Sequence, residues 1–252
     1  MARAAVQRRL TWLRARVLDN RPESPRVHRL VLDVPDWPGH LAGQHVVVRL
    51  TAEDGYTAQR SYSLASPPDV PELHLLVERL DGGEVSPYLT DEVGSDDDLE
   101  LRGPIGGYFV WSAAADEADE GQGRRPVQLV AGGSGVAPLL AMIDHHRRHG
   151  SSTPLRLLYS ARTKADVLGG DLLGPETTIT LTRDVPPDWR GESGRIDGDL
   201  LQRCTFGPAE QPRIYACGPT AFVESVAQTL IHHGHDPSWL KLERYGNSGD
   251  PS

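Results

Sequence analysis

Gln59–Arg60–Ser61–Tyr62–Ser63–Leu64 closes a β-like run, and its Arg-x-Tyr-Ser pattern decides how the chain is read. Alone the pattern says little, because a strand with an exposed arginine and a core tyrosine would look the same. Three later stretches make it informative: Gly103–Pro104–Ile105–Gly106, Gly132–Gly133–Ser134–Gly135–Val136–Ala137–Pro138 and Tyr215–Ala216–Cys217–Gly218–Pro219. Each puts glycine and proline at or just past the end of an apolar run, where the backbone turns or meets a ligand.

Around these stretches lie 252 residues, enough for one large or two ordinary domains. Hydrophobic content of 38% and charged content of 24% give an ordinary soluble balance. No apolar run approaches the roughly 18 residues of a membrane span. The basic segment Met1–Arg9 has no apolar stretch after it, so it does not read as a secretory signal. A cytoplasmic protein is expected. Cys204 and Cys217 are the two cysteines, too few for a disulfide framework or for the four thiolates of an iron–sulfur cluster. A net charge of −9 argues against nucleic-acid binding.

Charge is unevenly spread. Residues 1–30 hold eight arginines (Arg3, Arg8, Arg9, Arg14, Arg16, Arg21, Arg26, Arg29), and residues 91–120 hold ten acids. Solvated faces explain both. A basic surface steering an acidic redox partner is the alternative.

Apolar–polar alternation predicts strands over 12–19, 27–34, 44–50, 60–65, 73–80 and 99–102. A turn at 21–25 separates the first two, and Gly103–Pro104 stops the last. A short helix over 84–92 follows Gly82–Gly83. Six short strands with turns between them predict an N-terminal antiparallel six-stranded β-barrel over residues 1–112. Residues 113–125 are alanine-, acid- and glycine-rich without large apolar side chains, which reads as an acidic flexible linker. From 126 to 246 apolar runs (127–131, 155–159, 177–182, 213–217, 239–245) alternate with helical patterns (138–148, 197–202, 221–233). That grammar predicts a parallel α/β sheet. Residues 247–252 form a tail.

In their order and separations, the motifs resemble the ferredoxin–NADP reductase superfamily over nearly the whole chain. The resemblance implies an FAD-binding barrel followed by an NAD(P)H-binding α/β domain. A flavin needs a cation for its pyrophosphate, a flat ring partner and a hydrogen-bonding group near N5. Arg60, Tyr62 and Ser63 take these roles by resemblance, with Ser61 beside them. Alternation would put Arg60 and Tyr62 on one strand face and Ser61 and Ser63 on the other. Val77 and the run Gly83–Glu84–Val85–Ser86 match further FAD positions, with Gly83, Val85 and Ser86 at the phosphates. Glu78 departs from the family, which often has a basic residue there.

Gly132–Pro138 looks like the family's Gly-Thr-Gly-x-Ala-Pro, so Gly133, Ser134 and Gly135 are expected at the nicotinamide dinucleotide. Ser160 and Arg162, with Arg183 as a second contact, suit a 2′-phosphate through charge-assisted bonds, which implies NADPH with NADH possible. Cys217, Gly218 and Pro219 match the Cys-Gly-Pro beside the nicotinamide. Glu243 and Tyr245 match the C-terminal Glu-x-aromatic. Ser63, Cys217, Glu243 and Tyr245 are therefore the expected catalytic set, Tyr245 as a lid near the flavin. His145, His146, His149 and His232, His233, His235 lack metal-ligand spacing, so no metal is expected.

The implied function is an FAD-dependent NADPH oxidoreductase passing electrons to a separate acceptor protein, ferredoxin-like or another redox protein. With two cysteines and no extra segment of domain size, the next carrier is expected to be another molecule. Three alternatives stay open: a free-flavin or small-molecule reductase, an NADH-dependent oxygenase reductase, and a non-catalytic docking subunit of a redox complex. Oligomeric state stays open as well.

Overall fold

In the computed structural model, residues 10–118 and 125–246 are described. Strands β1 (Leu13–Pro22), β2 (Val27–Asp33), β3 (His45–Thr51), β4 (Thr57–Ser63), β5 (Leu73–Glu78) and β6 (Asp98–Ile105) form an antiparallel sheet in the order β4-β3-β6-β1-β2-β5. The sheet curls until its edges meet. Leu64 bridges Leu75, and the Ala65 N–H donates to His74 O at 2.8 Å.

Alternation explains which faces are buried. In β1, Ala15 and Val17 are buried between exposed Arg14, Arg16 and Leu18. Leu30, Leu32, Val46, Val48, Leu73, Leu75, Val77, Leu99 and Leu101 fill the interior with them. Helix α1 (Val85–Pro87) and the wider turn Tyr88–Glu92 plug one opening, placing Val85, Leu89 and Val93 in the same core.

Two strand ends differ from the sequence reading. β6 does not stop before Gly103–Pro104 but runs to Ile105, which pairs with His45. Gly103 permits this, since a Cβ there would lie 2.9 Å from Val46 Cγ1. β1 runs through Arg21 to Pro22 because that stretch pairs with His28 and Arg29. The expected flexible linker also begins differently: Ala113–Ala118 is a helix, α2. Alanine has the highest helix propensity, and local propensity outweighs the acidic composition here. Residues 119–124 of that linker, the tail 247–252, and Arg3, Arg8 and Arg9 lie outside the described residues.

The second sheet is parallel throughout. Its strands are β7 (Val127–Gly132), β8 (Leu155–Ala161), β9 (Thr177–Leu181), β10 (Glu192–Ser193), β11 (Arg213–Pro219) and β12 (Leu240–Tyr245), in the order β10-β9-β8-β7-β11-β12. β10 is too short to leave a periodic signal. Helices α3 (Ala137–Arg148), α4 (Gly198–Cys204) and α5 (Thr220–His232) complete the unit. Every residue of central β7 is buried, as expected for a strand covered on both faces. Strand order reverses at β7/β11, so a crevice opens beyond their carboxyl ends, where α/β sheets bind ligands.

One apolar cluster joins the two sheets. Leu76, Phe109 and Trp111 from the barrel side pack with Leu129, Leu139, Met142 and Tyr215. Phe109 meets Tyr215 edge-on at 5.5 Å, and the Tyr215 hydroxyl donates to Val110 O at 3.0 Å. Polar pairs flank the cluster: His145 Nδ1 lies 2.5 Å from Asp69, and the Gly169 N–H donates to Glu23 at 2.9 Å.

The joint after β7 has no room for a side chain at Gly135. A Cβ there would lie 2.5 Å from Cys217 O and 2.7 Å from Gly218 N, both backbone atoms. Overpacking of this kind costs about 1–3 kcal/mol. Gly135→Ala is expected to lower the urea midpoint accordingly, with an unchanged denaturant slope. An unaltered midpoint would show that the joint yields freely.

Candidate active site

The crevice beyond β7 and β11 faces the β4 wall of the barrel. Between them lies a cleft of about 570 Å³, within the usual range for small-molecule sites. Arg60, Ser61, Tyr62, Ser63 and Ser86 line it from the barrel. Gly133, Ser134, Gly135, Ser160, Arg162, Cys217, Pro219 and Tyr245 line it from the α/β side. Residues as far apart in sequence as Ser24 and Gly246 thus share one cavity.

Strand β4 does not divide its residues between two faces as alternation predicts. Arg60 through Ser63 all reach the cleft, because β4 ends there at the barrel's closing edge. Arg60 Nη1 donates to Gln59 O at 2.7 Å, leaving its other N–H groups without a hydrogen bond among the described residues. Tyr62 packs on the barrel core, and burial pushes its phenol up in pKa against the opposing pull of Arg60.

The Ser63 hydroxyl donates to Glu243 Oε1 at 2.8 Å, across the domain boundary. Glu243 pairs with Cys217 in the β11–β12 register, so Ser63, Cys217 and Glu243 meet at one point. Burial raises the Glu243 pKa, opposed by the Ser63 bond. Burial, then the nearby Glu243, raises the Cys217 thiol well above its ordinary value. Cys217 is therefore a neutral packing group and not a thiolate.

Tyr245 reaches into the glycine joint. Its hydroxyl donates to Gly132 O at 2.7 Å and accepts from the Gly135 N–H at 3.2 Å. Gly133 takes φ +56, which glycine tolerates without strain. The Ser134 hydroxyl donates to Glu78 at 2.6 Å, a second bond between the domains.

Several expected residues stand apart from the cavity. Val77 and Val85 point into the barrel core. Gly83 closes a turn by donating to Leu80 O, next to Ser86, which does line the cleft and whose hydroxyl accepts from the Leu80 N–H. Arg183 does not line the cleft; its N–H donates to Arg162 O, and neighbouring Thr182 takes the lining position. Gly218 lies against Phe222, a lining residue that no motif marked. Glu78 was visible as a departure from the family pattern, whereas Arg26 carried no signal in its arginine-rich stretch.

Away from the cleft, Arg14 pairs with Asp98, Arg16 with Asp96, Arg49 with Glu100 and Arg79 with Asp91. Of the basic stretch, Arg14 and Arg16 thus pair with the acidic stretch, while Arg21 and Arg29 pair with Asp19 and Glu23 beside them. Among the described residues no three His, Cys, Asp or Glu side chains converge as a metal site. His145 and His146 instead pack around Trp111.

The cleft's own atoms suit a flavin and a nicotinamide nucleotide. Arg60 offers uncommitted N–H groups, Tyr62 a flat ring, and the Gly133–Gly135 joint a side-chain-free approach. These fit both groups. A closed antiparallel barrel sharing a cleft with a parallel α/β sheet defines a two-domain flavin and nicotinamide nucleotide oxidoreductase. The chain belongs to the ferredoxin reductase-like flavoprotein family: an oxidoreductase FAD-binding domain matches residues 15–110, and an oxidoreductase NAD-binding domain matches residues 129–228.

The chain is 27% identical over 214 residues to the toluate 1,2-dioxygenase electron transfer component of Pseudomonas putida, covering 82% of this chain and 59% of that one. It is 28% identical over 215 residues to the glycine betaine monooxygenase reductase subunit of Chromohalobacter salexigens, covering 81% and 55%. The chain therefore spans a little over half the length of these relatives. The flavohem-like FAD/NAD-binding domain of nitric oxide dioxygenase from Vibrio cholerae superposes with a TM-score of 0.79 at 24% identity, covering 93% of this chain and 99% of that one.

Glu243 gives a pH prediction. A carboxyl whose native pKa is raised holds its proton longer in the folded state. Its stabilisation is complete below the ordinary glutamate value, about 4.3, and is lost as pH rises through the native value. Glu243→Gln is therefore expected to gain stability relative to the parent as pH rises from the ordinary glutamate value through the higher native one. Urea unfolding across that range checks the sign. A difference independent of pH would show that Glu243 titrates normally.

Proposed function

We propose that this protein is an NADPH-dependent FAD oxidoreductase that delivers electrons to a separate acceptor protein, ferredoxin-like or another redox protein. One observation carries the reading: both sets of motif residues line a single cleft and are joined there by the Ser63–Glu243 bond. The names of the two relatives, an electron transfer component and a reductase subunit, agree with it. When bound, FAD accepts two electrons from the reduced nicotinamide and passes them on.

The chain's own residues supply alignment. Arg60 would hold an anionic pyrophosphate, Tyr62 would offer a flat ring partner, and Ser63 would offer its hydroxyl as a hydrogen-bonding group to the flavin. Gly133–Gly135 let a dinucleotide approach the backbone closely. The Cys217 thiol and half-buried Tyr245 line the cleft and would exclude water from it when the cofactors are bound, keeping the reacting groups oriented. Glu243, its pKa raised by burial, accepts the Ser63 hydroxyl and so fixes that group across the domain boundary.

We assign 1–112 to the flavin domain, 113–125 to the connection, 126–246 to the nucleotide domain and 247–252 to a tail. The protein is assigned to the cytoplasm, in keeping with the lack of any described helix long and apolar enough to cross a membrane. Preference for NADPH rests on Ser160 and Arg162, since Arg183 stands outside the cleft.

Purified protein loaded with FAD is expected to bleach on anaerobic addition of NADPH. Arg162→Ala is expected to raise the KM for NADPH relative to that for NADH by at least about tenfold, the lower bound for a charge-assisted bond. Equal changes for both donors would remove Arg162 from cofactor choice and favour the NADH-dependent oxygenase reductase. A yellow protein that neither donor bleaches would favour a docking subunit.

A further inference from the structure

Arg26 lines the same cleft from the turn between β1 and β2 and belongs to none of the motifs. That turn is firmly held. The Glu23 and Ser24 N–H groups donate to Val27 O at 2.8 and 3.1 Å, and the Ser24 hydroxyl accepts from the Val27 N–H at 3.2 Å. The Glu23 carboxylate accepts from Arg29 Nε at 2.5 Å and from the Gly169 N–H at 2.9 Å, pinning the turn to the nucleotide domain.

The Arg26 guanidinium is left poorly matched. Its Nε is buried and has no hydrogen-bond partner among the described residues. Its Nη2 has a long contact to Arg79 O at 3.4 Å and another to the exposed Asp81 at 3.9 Å. A buried N–H of a charged group without an acceptor is costly, so an acceptor from a ligand belongs there.

Charge bookkeeping identifies that ligand. Three cations line the cleft: Arg26, Arg60 and Arg162. The proposed pair of cofactors brings three anionic groups, namely the flavin pyrophosphate, the nicotinamide dinucleotide pyrophosphate and the 2′-phosphate. Arg60 on β4 takes the first and Arg162 the last. The nicotinamide end belongs at Ser134 and Cys217 and the adenosine end at Ser160 and Arg162, so the pyrophosphate between them must cross the β5 wall. That wall presents Glu78, a carboxylate bonded to Ser134, where an anion meets repulsion. Val27 is the ladder partner of Glu78, so Arg26 is the cation next to that partner.

We propose that Arg26 binds the pyrophosphate of the nicotinamide dinucleotide from the flavin-domain side, offsetting Glu78. The proposal rests on the cofactor reading above. Titration calorimetry on FAD-loaded parent, Arg26→Gln and Arg26→Lys tests it, with NADP⁺, NAD⁺ and adenosine 2′-phosphate, which lacks the pyrophosphate. Arg26→Gln is expected to weaken both dinucleotides about tenfold and to weaken adenosine 2′-phosphate far less, with Arg26→Lys recovering part of the loss. FAD per chain is expected to match the parent in both variants.

Loss of FAD with dinucleotide binding intact would overturn the proposal and move Arg26 to the flavin pyrophosphate. Equal weakening of dinucleotides and fragment would overturn it by moving Arg26 to the adenosine end. Unchanged affinities would overturn it outright. Should Arg26→Gln not fold, the same outcomes are read from Arg26→Lys, whose smaller cation cannot reproduce the planar fork. A parent protein that binds neither dinucleotide contradicts the cofactor reading itself, which is visible before any variant is compared.

Discussion

The hydrogen bond from Ser63 to Glu243 is the contact on which the site depends. It ties the last residue of a barrel strand to the last strand of the α/β sheet. Neither partner has a role without the other domain in place. The apolar cluster from Leu76 to Tyr215 brings the domains together, and the bond sets which groups meet at the cleft. Burial raises the Glu243 pKa, so the same closure that positions the carboxyl also tunes it.

Electrostatics inside and outside the cleft differ in kind. On the surface, arginines and carboxylates pair with each other, and exposed pairs of this sort contribute little stability. In the cleft, Arg26 and Arg60 keep N–H groups without acceptors among the described residues, and burial pushes the Cys217 thiol up. Uncommitted cations make a site for anionic ligands. Glu78 and Asp166 are the acids that line it, and the bond from Ser134 holds Glu78 at the domain boundary.

Much of this was legible in the sequence because the signals are local. Strands such as β1 and β6 alternate with period two, and the glycine joints sit where backbone approaches backbone, as Gly135 does against Cys217. Local rules misled where tertiary packing decided the outcome. Gly103–Pro104 reads as a stop, yet an empty glycine position beside Val46 lets β6 continue. Val77 and Val85 match family positions, but their side chains serve the barrel core. Residues 113–118 read as linker by composition and are helical by alanine content. Ser134–Glu78 and the unmatched Arg26 could not be read at all, because they arise only when the domains meet.

A double-mutant cycle on Ser63→Ala and Glu243→Gln, read as the rate of flavin reduction by NADPH in stopped flow, tests the central claim most directly. If the two residues act as one unit across the boundary, the double variant is slowed hardly more than the worse single variant, with a coupling of about 0.5–3 kcal/mol. Slowing that is additive within about 0.5 kcal/mol would show two independent groups and contradict the account.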